Sequence, residues 1–235
     1  MLRQFAWIIV SGVSAATVCA ADLPRLPMAA TPLQLAGPAG SAELTRAAAC
    51  IERGDAETAI AIISRYVREN PGQFTVRAYL AELYWRTNHW PEAHLEFNRF
   101  IADAQAAGAD PARLVHGHTR LMAIAEKTGD RSSEHLHRGI GLYWLARRET
   151  DRATAESLLC KAAGVLALVE RNRPDDARPK WYLHQVWTAL DQPSRARGCL
   201  NSAARLTAFS DLTPAELADL SLAAAAEADC PGQFP

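Results

Sequence analysis

The residues best suited to chemistry in this chain are four histidines in two His-x-His pairs, His116-Gly117-His118 and His135-Leu136-His137. Neutral imidazole is a common metal and haem ligand, so the region 116–137 points to a metal- or haem-related assembly or maturation factor as one reading. Spacing argues against chelation within a pair, because helical residues two apart point about 200° away from each other. Across a hairpin turning near Gly129, His118 is expected opposite residue 141 and His135 opposite residue 124. The pairs are then staggered, and the histidines read as solvated or helix-capping.

Other reactive groups are scattered. No nucleophile elbow, phosphate loop or His-Glu-x-x-His pattern occurs, which removes the usual signatures of hydrolases, nucleotide enzymes and zinc proteases. Glu82 and Glu96 are the one carboxylate pair worth naming, although acidic residues on exposed helix faces are ordinary. The five cysteines, at 19, 50, 160, 199 and 230, include no Cys-x-x-Cys spacing. Cys50 lies on an apolar helix face and reads as a small core residue. Cys199 and Cys230 are candidates for a disulfide if the last helix folds back on the one before it.

The ends and the composition limit the setting. Arg3, the apolar stretch from Phe5 to Ala16 and the small residues of Val18-Cys19-Ala20 read as a signal peptide over residues 1–20. The apolar stretch falls short of the roughly 20 residues a membrane span needs, so export and cleavage near Ala20 are expected, to a periplasmic or secreted location. A lipid anchor at Cys19 is the lesser reading, since Ala16-Thr17-Val18 lacks the leucine of a lipobox. Residues 21–40, with Pro24, Pro27, Pro32 and Pro38, read as a tether. Charged residues make up 22% with a net charge of −1, and neither sign dominates. That balance excludes a nucleic-acid footprint and a polybasic membrane contact, and no integral membrane span is expected in the mature chain.

The elements that must position these residues are helices. Ala59 and Ala93 stand 34 residues apart, each after a turn signal, Gly54-Asp55 and Asn88-His89. A helix–turn–helix repeated at a fixed period indicates a stacked helical array. The first pair is expected over residues 41–53 and 56–69, the second over 74–86 and 91–106. Asp55 caps its helix and Asn70-Pro71-Gly72 ends it. Two later units centre on Tyr143, Ala146 and Ala155 and on Leu183, Trp187 and Ala196. Residues 111–128 form a helix that either pairs with the one following Gly129-Asp130 or is inserted. Thr213-Pro214-Ala215-Glu216 is a capping box opening a last, alanine-rich helix that covers the final pair.

The stretch 40–107 resembles the tetratricopeptide repeat (TPR) family. Ala47 and Ala81 match its small eighth position, Tyr84 its large eleventh, Ala59 and Ala93 its small twentieth, and Pro71 its late proline. Tyr66 and Phe100 depart from the small residue expected at position twenty-seven. The resemblance implies an all-α fold, an α-α superhelix (a right-handed solenoid of antiparallel helix pairs) over residues 41–230. It also implies that the first helix of each pair lines a concave groove. Carried onto this chain, that groove holds Glu82, Trp85 and Arg86, then Ile140, Trp144, Arg147 and Arg148, then Arg178, Trp181 and Gln185. Tryptophan and arginine are favoured at binding hot spots, though each tryptophan reads equally as packing between units. Leu44 and Ala48 replace the Lys and Asn of the chaperone-tail clamp, so that specialised role is not expected. The expected function is a non-enzymatic exported adaptor or scaffold for a protein or peptide in the cell envelope, with no cofactor.

Overall fold

Five residues with positive φ mark where the chain turns: Gly54, Asn88, Gly108, Gly129 and Asp191. Glycine reaches that left-handed region without strain, and Asn and Asp are the side chains that tolerate it best. Each sits one or two positions beyond a helix end. The computed structural model describes residues 42–229, as ten α-helices with no strand among the described residues. The proposed signal peptide, the 21–40 tether, Cys19 and Cys230 lie outside them.

The helices are α1 Ala42–Glu52, α2 Ala56–Glu69, α3 Phe74–Arg86, α4 Trp90–Ala106, α5 Pro111–Thr128, α6 Arg131–Ala146, α7 Arg152–Asn172, α8 Ala177–Ala189, α9 Pro193–Ala204 and α10 Pro214–Asp229. Aspartates set many of the starts: Asp55, Asp110, Asp130, Asp151 and Asp176 each accept a hydrogen bond from a first-turn amide, occupying donors that the helix itself leaves free. Helix α4 begins one residue earlier than the sequence suggests, with Pro91 second rather than first. Proline is tolerated at both positions for the same reason, since neither amide has an intrahelical acceptor.

Each helix packs on the next in chain order. The unassigned stretch 111–128 does two things at once: α5 packs on α6 as a hairpin and also packs on α4. Two glycines permit the close approaches. A methyl group at Gly117 would lie 2.7 Å from Ile101 Cγ1, and one at Gly139 would lie 2.7 Å from Leu166 Cγ. The apolar interior follows the chain. Leu44, Ile63 and Leu80 belong to a first cluster, Phe97, Phe100 and Leu121 to a second, and Leu142, Leu166 and Leu183 to a third. Tyr84 packs on both the first and the second, and Trp144 on both the second and the third. Cys50 is a core residue, as its position on the apolar face implies.

Helix α10 departs from the expected end cap. It packs on α9, but it also reaches α4. Gln105, in the last turn of α4, accepts from Thr213 Oγ1 at 2.9 Å and donates to Tyr182 Oη at 3.1 Å. The C-terminal helix therefore crosses back to an element more than a hundred residues earlier.

Candidate partner-binding site

A cavity of about 430 Å³ opens where α10 meets the rest of the chain, bounded by the α4–α5 turn, α6 and α8. Helical spacing builds its walls. Trp144 of α6 and Arg147, which caps that helix in helical conformation, are three apart, Trp181 and Gln185 are four apart on α8, and both spacings keep side chains on one face. All four border the cavity, so four of the ten residues that the TPR resemblance assigned to a groove share one space. Leu114 of α5 and the rings of Tyr143 and Tyr182 add apolar surface. The aromatic groups are packed edge to face, Tyr143 against Trp144 at 5.1 Å and against Tyr182 at 5.7 Å, the arrangement their ring quadrupoles favour. Trp181 stacks on His184 at 5.3 Å. The Trp144 indole N–H is buried without a hydrogen bond of good geometry, although it favours the ionised form of the Tyr182 hydroxyl.

One wall is a polar knot around Glu216. Arg178 donates to its Oε2 from Nε and Nη2 at 3.1 and 3.0 Å, Tyr182 Oη donates to Oε1 at 2.7 Å, and Gln105 Nε2 approaches Oε1 at 3.4 Å. The capping box forms as its sequence requires: Thr213 N–H donates to Glu216 Oε2 at 2.8 Å, and Glu216 N–H donates to Thr213 Oγ1 at 3.2 Å. Burial works against the charge on Arg178, but Glu216 outweighs it and the guanidinium is held more firmly protonated than usual. Burial, then the Glu216 charge, pushes the Tyr182 phenol well above its ordinary range, so it remains a donor. Asp219, one turn further along α10, and Arg147 both border the cavity and are exposed, and neither forms an ion pair among the described residues.

The other predicted groove residues are placed differently. Ile140 is fully buried in the core, because α6 is covered on that side as well. Glu82 is 4% exposed and accepts from Arg120 Nε and Nη2 at 3.0 and 2.8 Å, with Arg86 at 3.7 Å. Helix α5, which the repeat register did not assign, supplies the arginine that takes this carboxylate out of any groove. Arg178 is likewise committed to Glu216. Trp85 lies between Trp90, whose ring centre is 4.8 Å away, and the Arg120 guanidinium at 5.3 Å. Arg86 is exposed, and Arg148 is exposed and lies 3.7 Å from Asp110.

The histidine register also differs from expectation. His118 meets His137, not residue 141, with Nδ1 to Nδ1 at 3.2 Å, and both are buried rather than solvated. The turn lies at Gly129-Asp130 as expected, yet the two rings meet about one helical turn away from the pairing it implies. Burial, reinforced by Arg178, lowers His118 to about 3, and burial and His118 lower His137 well below the usual range. His116 packs edge-on against Phe97 and is lowered to about 4 by burial and Arg120. The two Nδ1 atoms of the buried pair face each other, with a cationic neighbour, while His118 Nε2 is buried without a partner. No group of three or more His, Cys, Asp or Glu side chains converges among the described residues. Glu82 and Glu96 do not form an acid–base pair either. Glu96 is held by Arg77 at 2.9 Å and Arg99 at 2.8 Å.

Tyr182, Glu216, Gln105 and Asp219 were not legible as site residues. The capping box identified Glu216 as a helix starter, and its second role depends on where α10 docks. No protein-family model matches the chain, and none of the curated proteins matches it in sequence.

Proposed function

We propose that this protein is a non-enzymatic, TPR-like adaptor that holds a protein or peptide segment in the cell envelope. The 34-residue period and the sequential packing of the helices support reading it as a right-handed superhelix of helix pairs. Export rests on the signal-like residues 1–20. The observation that carries the binding role is the gathering of Trp144, Arg147, Trp181 and Gln185 in one cavity. Tryptophan beside an uncommitted guanidinium and amide is the composition of an interaction hot spot, here with Trp144 half-buried and Trp181 almost wholly buried. An extended segment with an apolar anchor and an acidic neighbour fits it, the anchor against the tryptophans and the acid on Arg147.

The test is affinity capture from envelope extract with the wild-type protein and with Trp144→Ala/Arg147→Ala. Loss of a specific partner from the variant supports the reading. Equal recovery of every partner by the two proteins rejects this cavity as the site.

A further inference from the structure

Helix α10 resembles a ligand more than a structural cap. Its sixteen residues include one buried apolar side chain among those described, Leu220, while Leu217 and Leu222 are 40% and 73% exposed. Apart from Glu227, which accepts from Arg197 of α9 at 2.9 Å, its polar attachment is gathered on one buried carboxylate. Glu216 takes two hydrogen bonds from Arg178 and one from Tyr182, with Gln105 of α4 reaching the same oxygen. Guanidinium, phenol and amide are donors assembled on α4 and α8, and they are 38, 34 and 111 residues away from the group they hold. Arg178 is 9% exposed, so it needs an anion there, whatever chain that anion comes from. The same helix walls the cavity through Ala215, Glu216 and Asp219.

We infer that Arg178, Tyr182 and Gln105 form a receptor for an acidic segment, which α10 fills in cis through Glu216 and from which a partner displaces it. The partner's matching chemistry is a carboxylate followed four residues later by a leucine-sized apolar group on a helix, the spacing of Glu216 and Leu220. This rests on the reading of the adjoining cavity as a partner site, and adds its regulation. The short connection from α9 keeps α10 at an effective concentration on the order of millimolar, so an occupant without further contacts does not enter. A partner that also fills the cavity beside Trp144 and Arg147 gains what displacement requires, and α10 thereby sets a threshold against weak acidic peptides.

The test uses a fluorescently labelled peptide of residues 211–229 as the probe, titrated into the full chain. The wild type, with the receptor filled in cis, is expected to bind it at least about tenfold more weakly than Glu216→Gln/Leu220→Ala. The same peptide with glutamine at the Glu216 position is expected to lose that gain. Equal binding to both proteins, or equal binding of both peptides, overturns the inference. Native-state hydrogen exchange on the wild type keeps the question decidable if the variant fails to fold: α10 amides are expected to open in a step separate from α4–α9. Opening of α10 only together with those helices also overturns it. No outside partner enters these readouts, so their failure leaves capture through Trp144 and Arg147 standing, and failed capture leaves the exchange of α10 standing.

Discussion

His118 and His137 share a single proton across 3.2 Å inside the α5–α6 hairpin, one ring donating and the other accepting. The contact requires the accepting ring to be neutral, and burial beside Arg178 favours the neutral form of both. The charged and titratable groups around them are Arg178 from α8, Arg173 from the turn before it, and His94 from α4. None of these is anionic, so nothing nearby would welcome a second proton.

Acid sensitivity follows. Burial holds His118, His137 and the nearby His116 all below the ordinary 6.5, His118 at about 3 and His116 at about 4. The unfolded chain therefore binds more protons than the folded one below about pH 6.5. Stability is complete above that pH and falls as pH drops toward 3, by up to about 1.4 kcal/mol per pH unit for each histidine. Denaturant midpoints measured at pH 7, 6 and 5 should decline steeply for the wild type and less steeply for His137→Phe. An identical decline in the two proteins would remove the pair as its source.

Two glycines should respond in opposite directions. Gly139→Ala places a methyl group 2.7 Å from Leu166 Cγ and is expected to cost about 1–3 kcal/mol through overpacking. Gly164 lies within α7 with nothing inside 4 Å of an added methyl. Gly164→Ala should stabilise by about 0.5–1 kcal/mol, because alanine is the better helix former. Chemical denaturation of both variants checks the pair, and a loss in both would contradict the packing described for α6 and α7.

Arg77 is 8% exposed and donates to Glu96 and Asp103 at 2.9 and 2.7 Å. Arg77→Met strands a buried carboxylate and is expected to destabilise by about 3–5 kcal/mol, toward the lower figure because Arg99 still reaches Glu96. Adding Glu96→Gln should recover part of the loss. A double variant no more stable than Arg77→Met would show that the stranded charge is not the cause.

Ile140 separates core from site. Ile140→Val should cost about 0.5–1.5 kcal/mol of stability and leave partner capture unchanged, whereas Trp144→Ala should reduce capture. A parallel loss of capture in Ile140→Val, at temperatures where it remains folded, would return that residue to the binding surface.

Helix positions were legible because their signals are local. Asp55, Asp130 and Asp151 cap by contacts within three residues, and the Thr213–Glu216 box closes on itself. Site residues were legible only where a face stayed open. Trp144, Arg147, Trp181 and Gln185 border a cavity, although Trp181 is itself almost wholly buried. Glu82 and Arg178 were both assigned to the groove by register, yet α5 brings Arg120 to one and α10 brings Glu216 to the other. Periodicity within a helix says which side a residue faces; it is silent on whether a distant segment will lie there. The His118–His137 contact failed to show because counting out from the Gly129-Asp130 turn gives the backbone register alone, and long side chains on packed helices meet up to a turn away from it.

The knot at Glu216 has a consequence in time. Synthesis delivers Arg178 first and its counter-ion 38 positions later, an interval of about two to eight seconds at ordinary elongation rates. Until that stretch is made, Arg178 has no partner that would offset its burial, so α8 reaches its final packing only after α10 exists.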